Sequence, residues 1–275
     1  MINLFYSGYI FIPLSIMIMK FYKYHGTAND FVMIDNRLGD VNLSSMQVAK
    51  LCNRRTGIGA DGLILLQNHD RFDFQMIYYN ADGSESTMCG NGGRCIVAFA
   101  QQLEIVKKEA CFLAIDGVHH ATIYEDKRVA LEMISVEEVN IVNDDYVLDT
   151  GSPHYVQFCT NLEDLDVFTD GSAIRNSSMF MKEGINVNFV EVKDDILHIR
   201  TYERGVEDET WSCGTGVVAC SIAYAKKQNL SGHLEVIIST KGGELKVKFN
   251  ISNDVASNVW LIGPAICVYE GDVEL

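Results

Sequence analysis

The stretch TMCGNGGRC, residues 87–95, places the thiol of Cys89 directly before a glycine-rich turn. The turn leads into IVAFAQQL, an apolar segment that is compatible with a helix. The stretch WSCGTGVVACSIAYAKK, residues 211–227, repeats this arrangement at Cys213. Each of the two cysteines therefore stands at the predicted start of a helix and opens a C-G-x-G pattern.

The similarity between the two halves of the chain extends beyond the cysteines. When the two patterns are aligned, the strand-like segment FQMIYYN falls beside LHIRTYER. The corresponding positions are Cys89 and Cys213, Gly90 and Gly214, Gly92 and Gly216, and the turn residues Asn29 and Ser152–His154. A repeat of such a long period predicts two copies of one domain rather than a solenoid. We expect each copy to wrap strands around a central helix and to leave a cleft between the copies, across which the two cysteines face each other.

No Pro-rich or Ser-rich linker separates the halves, so we expect a tight boundary. The expected N-terminal domain comprises residues 20–134 and 262–275, and the expected C-terminal domain comprises residues 135–261. Residues 1–19 are interpreted as an extension ahead of the first domain. They contain no charged side chain, so the basic region of a signal peptide is missing, and their apolar run is too short to span a bilayer.

Composition limits the partners that the protein can have. The chain of 275 residues carries a formal net charge of −15, which argues against binding to nucleic acid or to an anionic membrane surface. Its eight cysteines show no Cys-x-x-Cys spacing, so we expect free thiols in a reducing cytoplasm rather than disulfides or a metal site. Five of them are interpreted as small buried apolar residues: Cys95, Cys111, Cys159, Cys220 and Cys267.

A second glycine pattern, GIGADG at residues 57–62, formally matches the G-x-G-x-x-G of dinucleotide-binding proteins. That fingerprint requires a strand before the glycines and a helix after them. Here the predicted helix SSMQVAKLCNRR, which Ser44 or Ser45 would cap, comes first, and the strand-like LILLQ follows. The order excludes the dinucleotide-binding interpretation.

The paired cysteines point to a specific chemistry. A helix N-terminus exposes unpaired backbone amides and a partial positive charge, which bind a carboxylate and lower the pKa of a thiol. Two such sites facing each other would place a thiol on each face of the carbon next to a bound carboxylate. This arrangement predicts removal of a proton from one face and its delivery to the other, with the amides stabilising the enolate-like charge. We expect no cofactor and no metal.

Six segments, in order from Lys20 onward, resemble the diaminopimelate epimerase family: FYKYHGTANDF, NADGSESTMCGNGGRC, TGSPHYV, GINVNFV, YERGVEDETWSCGTG and LIGPAICVYEG. The resemblance implies an α+β fold of two pseudo-symmetric domains, each a mixed, mostly antiparallel β-sheet or barrel around a central helix, with the active site in the interdomain cleft. It implies an isomerase that interconverts LL- and meso-diaminopimelate, without a cofactor, for lysine and peptidoglycan synthesis. A cytoplasmic homodimer is also expected, with a small-molecule substrate and with neither nucleic acid nor membrane as a partner.

The resemblance also implies roles for particular residues. Cys89 and Cys213 match the acid/base pair, and His154 and Glu203 match residues that help to set the protonation of the thiols. We expect His154 to titrate near neutrality, Glu203 to neutralise an ammonium and Arg204 to fork onto a distal carboxylate. The residues implied for substrate binding are Asn29, Asn80, Gly90, Asn91, Ser152, Asn186, Glu203, Arg204, Gly214 and Thr215.

Three positions depart from the usual pattern of the family. Ala28 stands where a Gly is usual, Ser152 where many members carry a substrate-binding Asn, and Gly62 where some members carry a Gln. Two other functions stay open at this point. One is a proline or hydroxyproline racemase-like activity, and the other is a redox-switched binding protein in which Cys89 and Cys213 form a reversible disulfide.

Overall fold

The computed structural model describes residues 18–274, which form a mixed sheet of strands with four α-helices. The strands are β1 (Ile18–Gly26), β2 (Asn29–Asp35), β3 (Gly62–Gln67), β4 (Phe74–Asn80), β5 (Glu109–Ala114), β6 (Gly117–Ile123), β7 (Val129–Met133), β8 (Asn140–Val142), β9 (Asp145–Asp149), β10 (Pro153–Phe158), β11 (Asn186–Lys193), β12 (Ile196–Glu203), β13 (Asp208–Thr210), β14 (Gly232–Thr240), β15 (Gly243–Ser252), β16 (Val255–Gly263) and β17 (Ile266–Glu274). The helices are α1 (Ser45–Cys52), α2 (Gly90–Gln102), α3 (Val167–Arg175) and α4 (Gly214–Lys227), and a short 3-10 helix covers Leu162–Asp164.

The two halves repeat the same order of strand pairings. In the first half β1–β2 is antiparallel, β2–β3 parallel, β3–β4 antiparallel, β4–β5 parallel, and β5–β6–β7 antiparallel. The second half follows the same sequence through β9, β10, β11, β12, β14, β15 and β16. A helix also lies between the second and third strands of each series, α1 in the first half and α3 in the second. The predicted two-repeat, mostly antiparallel α+β fold is confirmed.

Each repeat has its own apolar core around one helix. In the first, Cys95, Ile96 and Phe99 of α2 are fully buried among side chains of the surrounding strands. In the second, Val218 and Ile222 of α4 have the same role. Because strands surround the middle of each helix, residues 95–100 of α2 and 217–225 of α4 are almost all apolar. The central helices are therefore the part of the fold that positions the two C-G-x-G patterns.

The sheet continues from one repeat into the other through β16. Leu261 of β16 pairs with Val247 of β15 on one side and with Leu131 of β7 on the other. The chain then breaks at Pro264, and β17 returns to pair with β1 of the first repeat. The segment VWLIGPAICVYEG, which reads as one strand in the sequence, thus forms the end of β16 and the start of β17.

The start of the chain lies mostly outside the described residues. The extension expected at residues 1–19 overlaps them only at Ile18 and Met19, which already belong to β1. Met19 pairs with Val273 of β17 and is buried. None of the helices within residues 18–274 is long and apolar enough to cross a membrane.

Candidate active site

The two central helices begin next to each other. Cys89 and Cys213 are their N-cap residues, and both have extended backbone conformations. A Cβ atom on Gly214 would lie 3.2 Å from the Cα of Gly90 and 3.1 Å from Cδ2 of Leu261. The absence of side chains at the two glycines allows this close approach. The repeats therefore bring two helix N-termini, each with a cysteine, to one point.

Around Cys89, side chains of the first repeat are held in fixed orientations. Its Sγ accepts a hydrogen bond from the Gly92 N–H at 3.2 Å and lies 3.9 Å from Oδ1 of Asn29. The amide of Asn29 donates to Asp61 at 2.8 Å, which leaves its Oδ1 to face Asn91 Nδ2 at 3.2 Å. Asn29 and Asn91, both expected to bind substrate, thus lie together beside the first thiol.

Around Cys213, the second repeat reproduces this geometry with different side chains. Ser152 Oγ lies 3.2 Å from Thr215 Oγ1, as Asn29 faces Asn91 in the first repeat. Thr215 Oγ1 is 3.5 Å from Cys213 Sγ and 2.9 Å from Nε2 of His154. Asn186 donates to Ser152 Oγ at 3.3 Å. Four of the residues expected from the sequence therefore surround the second thiol.

Glu203 and Arg204 follow one another at the end of β12, at the edge of this group. Glu203 accepts a hydrogen bond from Thr210 at 2.8 Å, and burial raises the pKa of its carboxyl above the ordinary value. The backbone N–H of Arg204 donates to Asn186 Oδ1 at 2.9 Å, and its exposed side chain reaches the carbonyl oxygen of Glu183. Asn80 is different: its amide bonds Ser84, and no hydrogen bond within residues 18–274 joins it to either cysteine.

The protonation of the thiols differs from the expectation for a helix N-terminus. Burial raises the pKa of Cys89 to about 11, while the Gly92 N–H opposes the rise and the Glu203 carboxylate adds to it. Burial also raises the pKa of Cys213 to about 12, again with a contribution from Glu203. Loss of water around the thiolate therefore outweighs the helix amides in this structure. Both groups are thiols at neutral pH unless a bound cation or another charge stabilises the thiolate.

The expectation that His154 titrates near neutrality is wrong. Its side chain is fully buried, and burial, with the positive charge of Arg204, lowers its pKa to about 3. The amide of Asn188 donates to Nδ1 at 3.0 Å, because its own oxygen accepts from Thr201. The proton of the neutral ring is therefore on Nε2, where it can be donated to Thr215. His154 is a fixed hydrogen-bond donor in this structure, not a titrating base.

The three departures from the family pattern have structural counterparts. Ala28 has φ of 64° and Thr27 has φ of 51°, so a two-residue turn with positive φ at both central positions joins β1 to β2. Ser152 keeps a polar contact with Thr215, as described above. A Cβ on Gly62 would lie 2.6 Å from the ring of Tyr78 and 2.7 Å from a backbone oxygen, so this chain has no room there for a glutamine.

Some residues near the thiols were not expected from the sequence. Asn188 orients His154, and Thr27 joins the repeats by a hydrogen bond of 2.8 Å to the Ser212 hydroxyl. Arg94 is completely buried at the start of α2. The sequence could have singled out Arg94, since it is the one charged residue of a mostly apolar helix. Cys267 was expected to be buried but is exposed, because it lies on β17, which pairs only with β1 among the described strands.

No group of three or more His, Cys, Asp or Glu side chains within residues 18–274 is arranged to hold a metal ion. Two cavities, of about 320 Å³ beside Pro153 and about 290 Å³ beside His25, are lined by neither cysteine. The arrangement of donors at the site suits an anion: two helix starts, amide side chains and hydroxyl groups, with a thiol on each side.

Solved structures share this fold. A PhzF-family phenazine biosynthesis protein from Bacillus anthracis superposes with a TM-score of 0.75, at 12% identity, over 94% of this chain and 100% of its own. A hydroxyproline epimerase from Agrobacterium vitis superposes with a TM-score of 0.64, at 15% identity, over 94% of this chain and 93% of its own. Fold and site together define the class: a two-repeat protein with a cysteine at the start of each central helix.

Sequence comparison is more specific. A family model described as diaminopimelate epimerase matches residues 21–139 and 146–268. A protein of Flavobacterium psychrophilum named diaminopimelate epimerase is 54% identical over 255 residues, which cover 92% of this chain and 99% of that protein. This chain belongs to the diaminopimelate epimerase family, as the sequence motifs predicted.

Proposed function

We propose that this protein interconverts LL- and meso-diaminopimelate and thereby supplies precursors of lysine and peptidoglycan. The observation that supports the proposal most directly is the meeting of two cysteine-capped helix N-termini, with Gly90 and Gly214 in contact. In the proposed reaction, one cysteine in its thiolate form takes the proton from the substrate Cα. The electron pair of the broken C–H bond is delocalised into the neighbouring carboxylate. The thiol on the opposite face then delivers its own proton to Cα, which inverts the centre and leaves the thiolate on the other cysteine.

The helix amides bind the carboxylate at the reacting end. The two helix starts lie next to each other, so their backbone N–H groups can bind one carboxylate and stabilise the charge that develops as the proton leaves. Asn29 and Asn91 from one repeat, and Ser152, Thr215 and Asn186 from the other, supply neutral donors and acceptors around the same group. Gly90 and Gly214 let the carboxylate approach the amides closely.

The distal end of the substrate is bound by charged groups. Glu203 binds an ammonium, which offsets the unfavourable burial of its carboxylate. Arg204 has no salt bridge within residues 18–274, so its guanidinium is available to a distal carboxylate. Asn80 adds a polar group at the end of β4. Binding of the ammonium to Glu203 also removes a negative charge that raises the pKa of both thiols, so substrate binding itself favours thiolate formation.

His154 acts on Cys213 through Thr215. Its Nε2–H holds the Thr215 oxygen, so that the Thr215 hydroxyl hydrogen can be donated to the Sγ of Cys213. This role sets the protonation of the second thiol without any charge on the imidazole.

We further propose the domain division expected from the sequence, residues 20–134 with 262–275 and residues 135–261, with substrate bound between the two units. The repeated strand order supports this division. The proposed compartment is the cytoplasm, which agrees with eight unpaired cysteines.

A homodimer is proposed as well. The edge strand β17 carries three largely exposed apolar side chains, Ile266, Val268 and Tyr269, which a second copy of the chain could cover. Sedimentation velocity should give a dimer for the unchanged protein and a monomer for Val268→Asp. A monomer for both proteins would contradict this proposal.

The function is tested by incubating the reduced protein with LL-diaminopimelate in D₂O. We expect meso-diaminopimelate to form with deuterium at one Cα, and no reaction with proline or 4-hydroxyproline. Cys89→Ser and Cys213→Ser should each lower turnover by at least about 10²-fold, because each face needs its own acid or base. Cys111→Ser changes a partly exposed thiol on β5, outside the proposed site and the proposed dimer surface, so it should keep the full rate. Turnover of proline, or full activity of either active-site variant, would contradict the proposal.

A further inference from the structure

Arg94 is a buried arginine that no carboxylate neutralises. Its side chain is 0% exposed, and it takes part in no salt bridge within residues 18–274. Its guanidinium donates to the Gly90 carbonyl at 3.2 Å, to Asn91 Oδ1 at 2.9 Å and to Thr27 Oγ1 at 3.4 Å, while Nε has no partner. A buried charge without a counter-charge is costly. The protein therefore keeps a positive charge in its interior that only a negative group at the site could offset.

The guanidinium lies in a slot of matching size. A Cβ on Gly26 would be 3.1 Å from Nη2, and a Cβ on Gly263 would be 3.2 Å from Nε. Larger residues at either position would press on the group, so the two glycines fix where the charge lies. The burial of Arg94 lowers its pKa only to about 10, which leaves the side chain positively charged at neutral pH.

The charge belongs to one repeat alone. Arg94 lies five residues after Cys89 in α2, whereas the matching position in α4, five residues after Cys213, is the buried Val218. The positive charge of Arg94 lowers the pKa of Cys89, and it is not among the largest contributions to the pKa of Cys213. The pseudo-symmetry of the two helix starts is therefore broken at this position.

The other titratable groups around the thiols do not create this asymmetry. Glu203 raises the pKa of both Cys89 and Cys213. Burial raises the pKa of Tyr78 far above its usual range, so its hydroxyl stays neutral. The negative charge of Asp61 raises the pKa of Glu203 and of Tyr78.

Three more buried groups stay neutral as well. Burial keeps the pKa of the Cys95 and Cys220 thiols far above their usual range, and it keeps the pKa of His154 too low for the ring to carry a charge at neutral pH.

We propose that Arg94 is a positioning residue whose buried charge makes Cys89, rather than Cys213, the thiol that ionises more readily. This inference rests on the proposed two-thiol function and adds to it the identity of the cysteine that first acts as base. Coulomb attraction falls with distance and is strong where water is excluded, and the guanidinium donates to the carbonyl of Gly90, the residue that follows Cys89.

The same side chain orients Asn91. Because Nη2 donates to Asn91 Oδ1, the amide must present its Nδ2 to Asn29 Oδ1 and to the Ser212 carbonyl at 3.1 Å. Arg94 thereby fixes the side chain that binds substrate beside Cys89 and connects it to the residue preceding Cys213.

Competitive alkylation tests the proposal without requiring turnover. The reduced, substrate-free protein is treated with a small amount of iodoacetamide over a range of pH, and the modification of each cysteine is measured by peptide mass spectrometry. The midpoint of each pH–rate curve reports the thiolate and does not depend on accessibility. We expect a lower midpoint for Cys89 than for Cys213. Arg94→Met should raise the Cys89 midpoint by about one pH unit or more, a tenfold loss of thiolate at a given pH, and should change the Cys213 midpoint less.

Arg94→Lys separates the effect of the positive charge from the effect of the planar set of guanidinium donors, because lysine keeps only the charge. It should keep the Cys89 midpoint close to that of the unchanged protein, while the KM for diaminopimelate rises because an ammonium cannot hold Asn91 as a guanidinium does. The partly exposed Cys111, on β5 and outside the proposed dimer surface, serves as an internal reference whose rate should stay constant in every variant.

The proposal is overturned if the unchanged protein gives Cys213 a midpoint equal to or lower than that of Cys89. That result needs no variant, so it stands even if Arg94→Met fails to fold. Equal shifts of both midpoints in a folded Arg94→Met would show a merely structural role. Since alkylation proceeds without epimerisation, failure of the proposed function would appear only in the deuterium assay.

Discussion

At the scale of single residues, burial changes the chemistry of the side chains that matter most. It raises the pKa of Cys89 and Cys213 although both stand at helix N-termini, and it keeps His154 neutral. The cost of removing a thiolate or an imidazolium from water is larger than the gain from nearby dipoles. In the free protein both cysteines are therefore thiols at neutral pH, and Cys89 has the lower pKa of the two.

The neutral state of His154 makes the stability of the protein depend on pH. In the folded protein the pKa is about 3 and in the unfolded chain about 6.5, so below about pH 6.5 only the unfolded chain gains a proton at this residue. The contribution of His154 to the free energy of unfolding is complete above that pH and is lost toward about pH 3, at roughly 1.4 kcal/mol per pH unit. Urea unfolding between about pH 7 and pH 5 should show this loss, and His154→Gln should show less of it. The exposed His233 is the matched control, since His233→Gln should keep the full slope; an unchanged slope in His154→Gln would contradict the neutral assignment.

Ala28 stores backbone strain in the turn beside the site. With φ of 64° it adopts the left-handed conformation that glycine tolerates best. Ala28→Gly should therefore raise the free energy of unfolding by about 0.5–1 kcal/mol, after allowance for the greater freedom of glycine in the unfolded chain. Denaturant titration measures the change. Ala60→Gly, at a buried position without positive φ, should instead lower stability, and a loss in both variants would argue against strain at Ala28.

At the scale of elements, the site depends on how closely α2 and α4 begin. The contact between Gly90 and Gly214 involves backbone atoms, and Leu261 of β16 packs under both helix starts. Backbone atoms cannot rotate away as a side chain can, so the distance between the helix starts is set by the two glycines.

Gly214→Ala should separate the helix starts by a few tenths of an ångström. Its Cβ would meet the Gly90 Cα at 3.2 Å, so the two groups of amides could no longer hold one carboxylate equally well. We expect turnover to fall on the order of tenfold to hundredfold with only a modest loss of stability. Adding Leu261→Val removes the side-chain contact but not the backbone contact, so it should fail to restore the rate. Full activity of Gly214→Ala, measured beside Leu261→Val alone, would disprove the need for close approach.

At the scale of the whole molecule, β16 makes one continuous sheet of two repeats. Leu261 pairs with Leu131 of the first repeat and with Val247 of the second, so this strand fixes the relation between the halves. The relation matters chemically, because each repeat contributes one thiol and a site with a single repeat could serve only one face of the substrate.

Two thiols from opposite repeats also make the protein sensitive to oxidation. Mild oxidation should abolish turnover by joining Cys89 to Cys213, since the proposed mechanism places both thiols at the same substrate carbon, and a reductant should restore it. Non-reducing peptide mapping identifies the bond, and saturating diaminopimelate should slow its formation. If the lost activity instead followed oxidation of the exposed Cys267 alone, the facing arrangement would be wrong. A protein that stayed active as the disulfide would point to a redox-switched function instead.

Much of the fold and of the candidate site could be predicted from short segments. The helix that begins at Cys89, the capping of α1 by Ser44, the β1–β2 turn and the β11–β12 hairpin all follow from nearby residues. Helix α3 was not predicted, because its segment carries little apolar periodicity. The break between β16 and β17 was missed, since both sides of Pro264 have strand-forming residues.

The sequence by itself determined the repeat, the placement of a cysteine before each glycine turn and the family to which the chain belongs. These features depend on residue types close together in the chain, where turn and helix-start chemistry is local. Only the tertiary structure decided that Arg94 is buried without a counter-charge, that His154 is neutral and that both thiols resist ionisation. Those properties come from the removal of water by distant segments, and the free energy of a charge depends on its whole surroundings rather than on its neighbours in sequence.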